Sequence, residues 1–219
     1  MMINTKESEI LGWLNKQESL YQPIKGYENK ISVDRVAGFY KTLNSIIGYC
    51  GEVKGKRILE IGPNAGWYAF RLADLGARVT AVEMDGRMFK ICRYVAERDG
   101  YTGNPEFINA DAKNWVENTS ERFDYVLLLN VFHHILSQNE ETGWRMFNKL
   151  MAISNGVFVS MRTKIKEGYH LCGNVREIPH VITRRSTAAR FEVVGSCFER
   201  TLYVFKNNSS GRGDDKRPQ

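Results

Sequence analysis

Residues 59–67 read LEIGPNAGW and carry the strongest structural signal in the chain. Apolar residues lead into a turn that carries Gly62 and Gly66, and an apolar helical pattern follows the turn. Glycine lets the backbone approach a ligand that a β-carbon would block. In sheets built from alternating strands and helices, ligands bind at the carboxyl ends of the strands. The stretch therefore predicts a strand, a binding turn and a helix, with a plain connecting turn as the alternative.

Strand-like and helix-like segments alternate along most of the chain. Five strands are predicted over residues 57–61, 78–83, 106–109, 125–129 and 156–161. The helices between and after them are predicted over residues 67–75, 87–99, 142–153 and, shorter, 186–190. Two last strands, over residues 192–196 and 201–205, are separated by a turn and predict an antiparallel hairpin. We therefore expect an α/β fold with a doubly wound, mostly parallel seven-stranded sheet that ends in this hairpin.

Composition divides the chain into three parts. Residues 1–54 hold two amphipathic stretches, around Trp13 and Phe39, which predict an N-terminal helical cap. Residues 55–206 hold the strand–helix alternation, and residues 207–219 contain no apolar side chain and are expected to be disordered. The start of the chain is polar and no apolar run approaches the ~20 residues that span a bilayer, so we expect a cytoplasmic protein.

The spacing of the two glycines separates two classes of cofactor. A dinucleotide site uses GxGxxG, whereas this turn has GxxxG with Asn64 between the glycines and Glu60 before them. A nicotinamide-dependent dehydrogenase is therefore the less favoured interpretation. The turn resembles motif I, (D/E)xGxGxG, of the class I, Rossmann-like S-adenosylmethionine (SAM)-dependent methyltransferases. Asn64 stands in place of the middle glycine, and asparagine tolerates left-handed backbone angles better than most residues.

The resemblance extends over residues 55–205 and implies SAM as the cofactor. Glu83 ends the second predicted strand, where a carboxylate can accept hydrogen bonds from both ribose hydroxyls; Asp85, in the following turn, is the alternative. The resemblance implies that Asp111 binds the adenine amino group, although a helix N-cap is the alternative there. The cofactor-binding set implied in this way comprises Glu60, Gly62, Asn64, Gly66, Glu83, Asp111, Ala112 and Asn130.

The segment after the fourth predicted strand carries the candidate catalytic residues. In the family that the chain resembles, this loop faces the methyl donor, which makes Asn130 and His133 the candidates here. His134 is expected to have a structural role, by hydrogen bonding to the motif I turn. Tyr169, His170 and His180 are further candidates for a general base, and a surface or packing role is the alternative for each.

The positive charge of the chain is concentrated in one segment. The net charge is +6, but residues 1–161 sum to zero and residues 162–190 hold seven basic and two acidic side chains. Arginine pairs bidentately with phosphate and carboxylate groups. We therefore expect an anionic small-molecule or glycan-type acceptor, bound through Arg162, Tyr169, His170 and Arg176. An RNA acceptor, a non-catalytic SAM-binding regulatory protein and a merely solvated basic loop are the alternatives.

Missing motifs make some other chemistries less favoured. No (N/D/S)PP(Y/F) sequence follows the fourth strand, where residues 130–132 read NVF instead, and this weighs against methylation of adenine amino groups. No Pro-Cys dipeptide supports a cytosine C5 nucleophile. The four cysteines form no CxxC pair, so neither a zinc site nor a disulfide framework is predicted, and we expect no bound metal.

Overall fold

The computed structural model describes residues 5–17, 20–161, 164–166, 169–197 and 200–208. Its helices are α1 (Thr5–Lys16), α2 (Val33–Cys50), α3 (Trp67–Asp74), α4 (Gly86–Arg98), α5 (Ala112–Asn118), α6 (Phe132–Gln138), α7 (Glu140–Ala152) and α8 (Ile178–Arg185). Its strands are β1 (Arg57–Ile61), β2 (Arg78–Glu83), β3 (Glu106–Asn109), β4 (Tyr125–Leu129), β5 (Val157–Ser160), β6 (Lys164–Lys166), β7 (Tyr169–His170), β8 (Arg190–Cys197) and β9 (Arg200–Lys206).

Seven of the strands form one mixed sheet in the order β3-β2-β1-β4-β5-β9-β8. Strands β1 to β5 run parallel, whereas β9 is antiparallel to both β5 and β8. The doubly wound, mostly parallel sheet with its terminal hairpin is therefore confirmed. Strands β6 and β7 form a separate antiparallel pair that the sequence pattern did not predict.

Apolar side chains cover both faces of the central strands. Along β1, Ile58 lies in one hydrophobic cluster with Phe70 of α3, and the next residue, Leu59, lies in the other with Phe147 of α7. Successive side chains of a strand point to opposite faces, so a strand covered by helices on both sides reads as a continuous apolar run. The core thus consists of two layers with the sheet between them, which leaves the ends of the strands for other uses.

The N-terminal helices share a hydrophobic core with the sheet. Leu14 of α1 and Ile46 of α2 are fully buried in the same cluster as Ile58. Tyr49 of α2 packs edge-on against Phe158 of β5, with ring centroids 5.5 Å apart. A domain boundary at residue 54 remains a prediction drawn from composition.

The helix predicted over residues 186–190 is wrong in position. The structure has α8 at Ile178–Arg185, an extended Ser186 after it, and β8 starting at Arg190. Pro179 lies in the first turn of α8, where its missing N–H costs nothing and its fixed φ favours the start of a helix. Of the tail predicted to be disordered, residues 209–219 lie outside the described part. None of the described helices is long and apolar enough to span a bilayer.

Candidate active site

Strand register brings the ends of the central strands together at one edge of the sheet. Ile61 of β1 pairs with Val82, so Gly62 follows β1 next to the end of β2 at Glu83. On the other side β1 pairs with β4, whose last residue, Leu129, pairs with Ser160 of β5. The chain leaves β1 for β2 on one side and reaches β4 on the other, which makes this edge the switch point of the sheet.

The motif I turn is held in left-handed backbone conformations. Gly62, Asn64 and Gly66 have φ values of 66°, 55° and 77°. The Gly62 N–H donates to the Val82 carbonyl at 2.9 Å, and the Gly66 N–H donates to the Pro63 carbonyl at 3.0 Å. Left-handed angles cost an ordinary L-residue ~1–2 kcal/mol, and asparagine is among the residues that tolerate them. This is why asparagine can occupy the position of the middle glycine.

Neighbouring side chains require glycine at both ends of the turn. A β-carbon on Gly62 would lie 2.8 Å from Cγ2 of Val131, in the loop after β4. A β-carbon on Gly66 would lie 2.9 Å from the ring of Phe107 on β3. The turn is therefore packed tightly against the loop after β4 and against β3, so its shape depends on both.

Glu83 connects the motif I turn to the end of β2. One carboxylate oxygen of this buried side chain accepts the Asn64 N–H at 2.8 Å, and the other accepts the Asp85 N–H at 2.8 Å. Burial raises the pKa of Glu83 above its ordinary value. The Met84 N–H is a further backbone donor to this carboxyl group. A carboxylate offers about four lone-pair positions, so these contacts do not use its whole capacity to accept hydrogen bonds. The Asp85 carboxylate accepts the N–H groups of Arg87 and Met88 and caps α4.

Glu60 is the last but one residue of β1, two positions before Gly62. Its side chain is only 3% exposed, and burial raises its pKa to about 8. The Ala69 backbone N–H, in the first turn of α3, donates a hydrogen bond to this carboxyl group. Within the described part of the chain, its Oε2 atom has no hydrogen-bond partner. Glu60 thus contacts the start of α3 from inside the core, and its predicted contact with the cofactor stays a prediction.

Asp111 is the N-cap residue of α5. Its Oδ1 atom accepts the Lys113 N–H at 2.8 Å and the Asn114 N–H at 3.3 Å, and the Lys113 ammonium lies 3.5 Å from Oδ2. Ala112 is the first residue of that helix. The capping alternative therefore describes what Asp111 does within the protein, while adenine binding by Asp111 and Ala112 stays a prediction.

Asn130 ends the β4 segment in a left-handed conformation, with φ of 60°. Its N–H donates to the Ser160 carbonyl at 2.6 Å, and the Ser160 hydroxyl lies 3.5 Å from its Oδ1. Of the two histidines that follow, His133 is buried and His134 is exposed, with their ring centroids 4.1 Å apart. The structure places all three at the carboxyl edge, and their catalytic or structural roles stay predictions.

The structure describes only some of the residues that are predicted to bind the acceptor. Arg162 lies outside the described residues, and Tyr169 and His170 are described only as the backbone of β7. Arg176 is exposed in a short 3-10 turn, where its N–H donates to the Asn174 side chain at 2.9 Å. The exposed His180 packs edge-on against a ring of β8. An acceptor site built from these residues stays a prediction.

A buried glutamine that no sequence motif singles out contacts the same turn. Gln22, between α1 and α2, donates from Nε2 to the Pro63 carbonyl at 2.7 Å. The only local signal is a polar residue followed by Pro23, a pattern that predicts the end of a helix. The contact spans 41 positions, so sequence spacing could not reveal it.

Comparison with known sequences finds similarity to methyltransferases over the part of the chain that holds the motif I turn. A family model described as a methyltransferase domain matches residues 58–152. The chain is 36% identical over 84 residues to a ubiquinone biosynthesis O-methyltransferase of Methylocella silvestris, a match that covers 38% of this chain and 32% of the relative. It is 31% identical over 102 residues to a ribosomal RNA small subunit methyltransferase A of Novosphingobium aromaticivorans, covering 47% and 36%. The matches thus span about a third of the length of these curated relatives.

Solved structures share the fold at low sequence identity. A magnesium protoporphyrin IX methyltransferase from Synechocystis PCC 6803, crystallised with SAM, aligns with a TM-score of 0.60 at 17% identity, over 94% of this chain and 93% of that one. The bifunctional kinase-methyltransferase WbdD aligns with a TM-score of 0.67 at 18% identity, over 90% of this chain and 46% of that one. Fold, motif order and sequence matches together support a class I SAM-dependent methyltransferase domain over residues 58–152.

Proposed function

We propose that this protein transfers a methyl group from SAM to an anionic small-molecule or glycan-type acceptor. The observation that carries the proposal is the left-handed Gly62–Gly66 turn, hydrogen-bonded through Asn64 to Glu83 at the switch point of the sheet. When bound, SAM supplies an electrophilic methyl group on its sulfonium. The chain's own contribution is to bind the cofactor and to align the acceptor with that methyl group.

The residues at this edge suit an adenosine-containing cofactor. Glu83 ends β2 beside the motif I turn and keeps part of its capacity to accept hydrogen bonds, so it would accept them from the ribose hydroxyls. Asp111, at the start of α5, follows the strand next to β2 and would accept a bond from the adenine amino group. The backbone of the turn between Gly62 and Gly66 would hold the cofactor at close approach, since neither glycine carries a side chain. Glu60 holds the start of α3, the helix that follows this turn, through the Ala69 N–H.

Asn130 and His133 are the residues that we assign to the acceptor side of the reaction. Asn130 directly follows β4, and its backbone is fixed by the 2.6 Å hydrogen bond to the Ser160 carbonyl. Its carboxamide would orient the attacking atom of the acceptor. His133 would take a proton where the acceptor must lose one, and an acceptor already ionised needs no base.

An anionic acceptor is supported by the charge distribution. Residues 162–190 follow β5 with a net charge of +5, while residues 1–161 are neutral overall. In this interpretation Arg162 and Arg176 pair with a phosphate or carboxylate group of the acceptor, and Tyr169 and His170 line its binding site. The O-methyltransferase names of some curated relatives favour an oxygen as the acceptor atom.

RNA is the second candidate acceptor, because other relatives are named ribosomal RNA methyltransferases. The sequence NVF at residues 130–132, where amino methyltransferases of adenine carry (N/D/S)PP(Y/F), weighs against it. RNA binding through phosphate contacts would weaken steeply with salt. A small anionic acceptor neutralises fewer charges and should show a shallower salt dependence.

Two measurements test the proposal in sequence. Calorimetry with SAM and with NADH establishes the cofactor, and binding of NADH without SAM would refute a methyltransferase. Tritiated SAM is then incubated with anionic small molecules, saccharides and RNA. Transfer to a small anionic acceptor is the expected result, transfer to RNA alone would support the second candidate, and SAM binding without transfer to any of these pools would favour the non-catalytic regulatory protein.

The acceptor site is tested with Arg162→Ala and Arg176→Ala once an acceptor is known. We expect each variant to raise the acceptor KM about 10-fold or more, the loss typical of a charge-assisted contact, while the affinity for SAM is unchanged. Arg93→Ala, an exposed arginine on α4 paired with Glu97, is the matched control. Unchanged acceptor KM in both variants would mean that the basic segment is only a solvated surface.

A further inference from the structure

The connection between α1 and α2 lies along the side of the motif I turn. In the described residues 20–31, Leu20, Pro23 and Ile24 are buried with the core. Gln22 is buried among them although it is polar, with 8% of its surface exposed. A buried amide is costly unless it forms hydrogen bonds, so its position requires a partner. That partner is the Pro63 carbonyl, 2.7 Å from Nε2.

The Pro63 carbonyl is the point at which the turn closes. It accepts the Gly66 N–H at 3.0 Å, and Gln22 supplies its second hydrogen bond. The next residue, Asn64, donates its own N–H to Glu83 on the other side. The left-handed turn is therefore held from two directions, by β2 through Glu83 and by the N-terminal connection through Gln22.

Charged contacts at the far end of the connection fix it independently of Gln22. The Lys25 ammonium lies 3.1 Å from Asp74, at the end of α3, and Glu28 lies 3.1 Å from Arg71 of the same helix. Arg98, at the end of α4, donates to the Lys25 carbonyl at 2.8 Å. The connection therefore presents Gln22 from an anchored backbone, and removing the carboxamide alone does not release it.

We infer that Gln22 is a positioning residue for the cofactor site, an inference that rests on the proposed function. Its N–H group holds the Pro63 carbonyl so that the turn is already in its binding shape before SAM arrives. A site organised in advance loses less conformational freedom on binding and so gains affinity. The coupling is reciprocal, because whatever orders the turn also favours the docked connection.

The first test compares two glutamine variants in the full chain. Gln22→Met keeps the approximate length of the side chain and removes the N–H donor. Gln17→Ala is the matched control, since Gln17, directly after α1, donates to the Trp13 carbonyl of that helix at 3.3 Å rather than to the turn. By calorimetry, we expect the Kd for S-adenosylhomocysteine to rise about tenfold in Gln22→Met and to stay at the parent value in Gln17→Ala. Both variants should melt within about 4 °C of the parent.

A parent-like Kd in a folded Gln22→Met protein would overturn the inference. So would a rise in Kd matched by Gln17→Ala, because the effect would then belong to the whole N-terminal region.

Hydrogen exchange on the unaltered protein gives a second test that needs no variant. Addition of S-adenosylhomocysteine should slow exchange of the amides of residues 20–31 together with those of residues 62–66. Protection of residues 62–66 alone would refute the coupling through Gln22, even where Gln22→Met does not fold. Failure of the unaltered protein to bind S-adenosylhomocysteine or SAM would instead refute the proposed function on which the inference rests.

Discussion

Replacement of Gly62 by alanine should damage both the stability of the fold and the cofactor site. Two separate costs arise from the added methyl group. Gly62 has a φ of 66°, and a left-handed conformation costs an L-residue ~1–2 kcal/mol. The new β-carbon would also lie 2.8 Å from Cγ2 of Val131, and overpacking of this kind costs ~1–3 kcal/mol. We therefore expect Gly62→Ala to lower the free energy of unfolding by about 2–5 kcal/mol, the sum of these two ranges.

The two costs can be separated by urea unfolding of three further variants. Gly100 has a φ of 75°, and no atom of the described residues beyond its own chain neighbours lies within 4 Å of the place that a β-carbon would take, so Gly100→Ala measures the conformational cost alone. In the double variant Gly62→Ala/Val131→Ala, the clashing methyl groups are absent. In a double-mutant cycle with Val131→Ala, we expect a coupling energy of about 1–3 kcal/mol between the two substitutions. This coupling energy is the overpacking part of the loss of stability.

Cofactor affinity gives the second readout of the same variants. Gly62→Ala pushes the motif I turn away from the loop after β4 and should weaken S-adenosylhomocysteine binding, whereas Gly100→Ala should leave it unchanged. The reasoning fails if Gly62→Ala destabilises the protein no more than Gly100→Ala does. It also fails if removal of the Val131 methyl groups recovers none of the lost stability.

Two buried carboxyl groups give further predictions. In Glu83→Gln the amide nitrogen must face the N–H of either Asn64 or Asp85, so one buried donor loses its acceptor; we expect a loss of about 1–3 kcal/mol in urea unfolding and weaker SAM binding by calorimetry. Burial raises the pKa of Glu60 to about 8, whereas the unfolded chain releases this proton near pH 4.5, so the folded state holds the extra proton between these values. Stability should therefore fall as the pH rises from about 4.5 to about 8, and Glu60→Gln should flatten this dependence of Tm on pH. Equal slopes for Glu60→Gln and the parent would contradict the assigned pKa.

Local sequence signals were sufficient to predict the parallel strands and the motif I turn. The apolar run of β4 and the GxxxG spacing are each contained in fewer than ten residues, and the structure confirms both elements. Asn64 adopts the left-handed conformation expected of a residue that replaces a glycine. Signals of this kind can be detected in the sequence because each depends only on neighbours within one strand or turn.

Features set by distant contacts could not be predicted in this way. Pro179 favours the start of a helix at the position where α8 begins. The helix was predicted too late, over residues 186–190, because this signal was not used. Gln22 belongs to the site only because the connection before α2 docks beside Pro63, 41 positions away. The tight fit between Gly62 and Val131 depends on strand order, which a pattern of apolar residues does not specify.

The position of β9 in the sheet has a consequence for biosynthesis. β9 lies between β5 and β8, so the backbone groups on one side of β5 have no strand to pair with until Arg200–Lys206 has left the ribosome. Helix α2 forms some of its contacts equally late, because Tyr49 donates a hydrogen bond to Glu192 on β8, 143 positions further along the chain. Pairings this distant form slowly and leave a nascent chain open to aggregation. We therefore expect the nascent chain to need protection from aggregation by chaperones until β9 has left the ribosome.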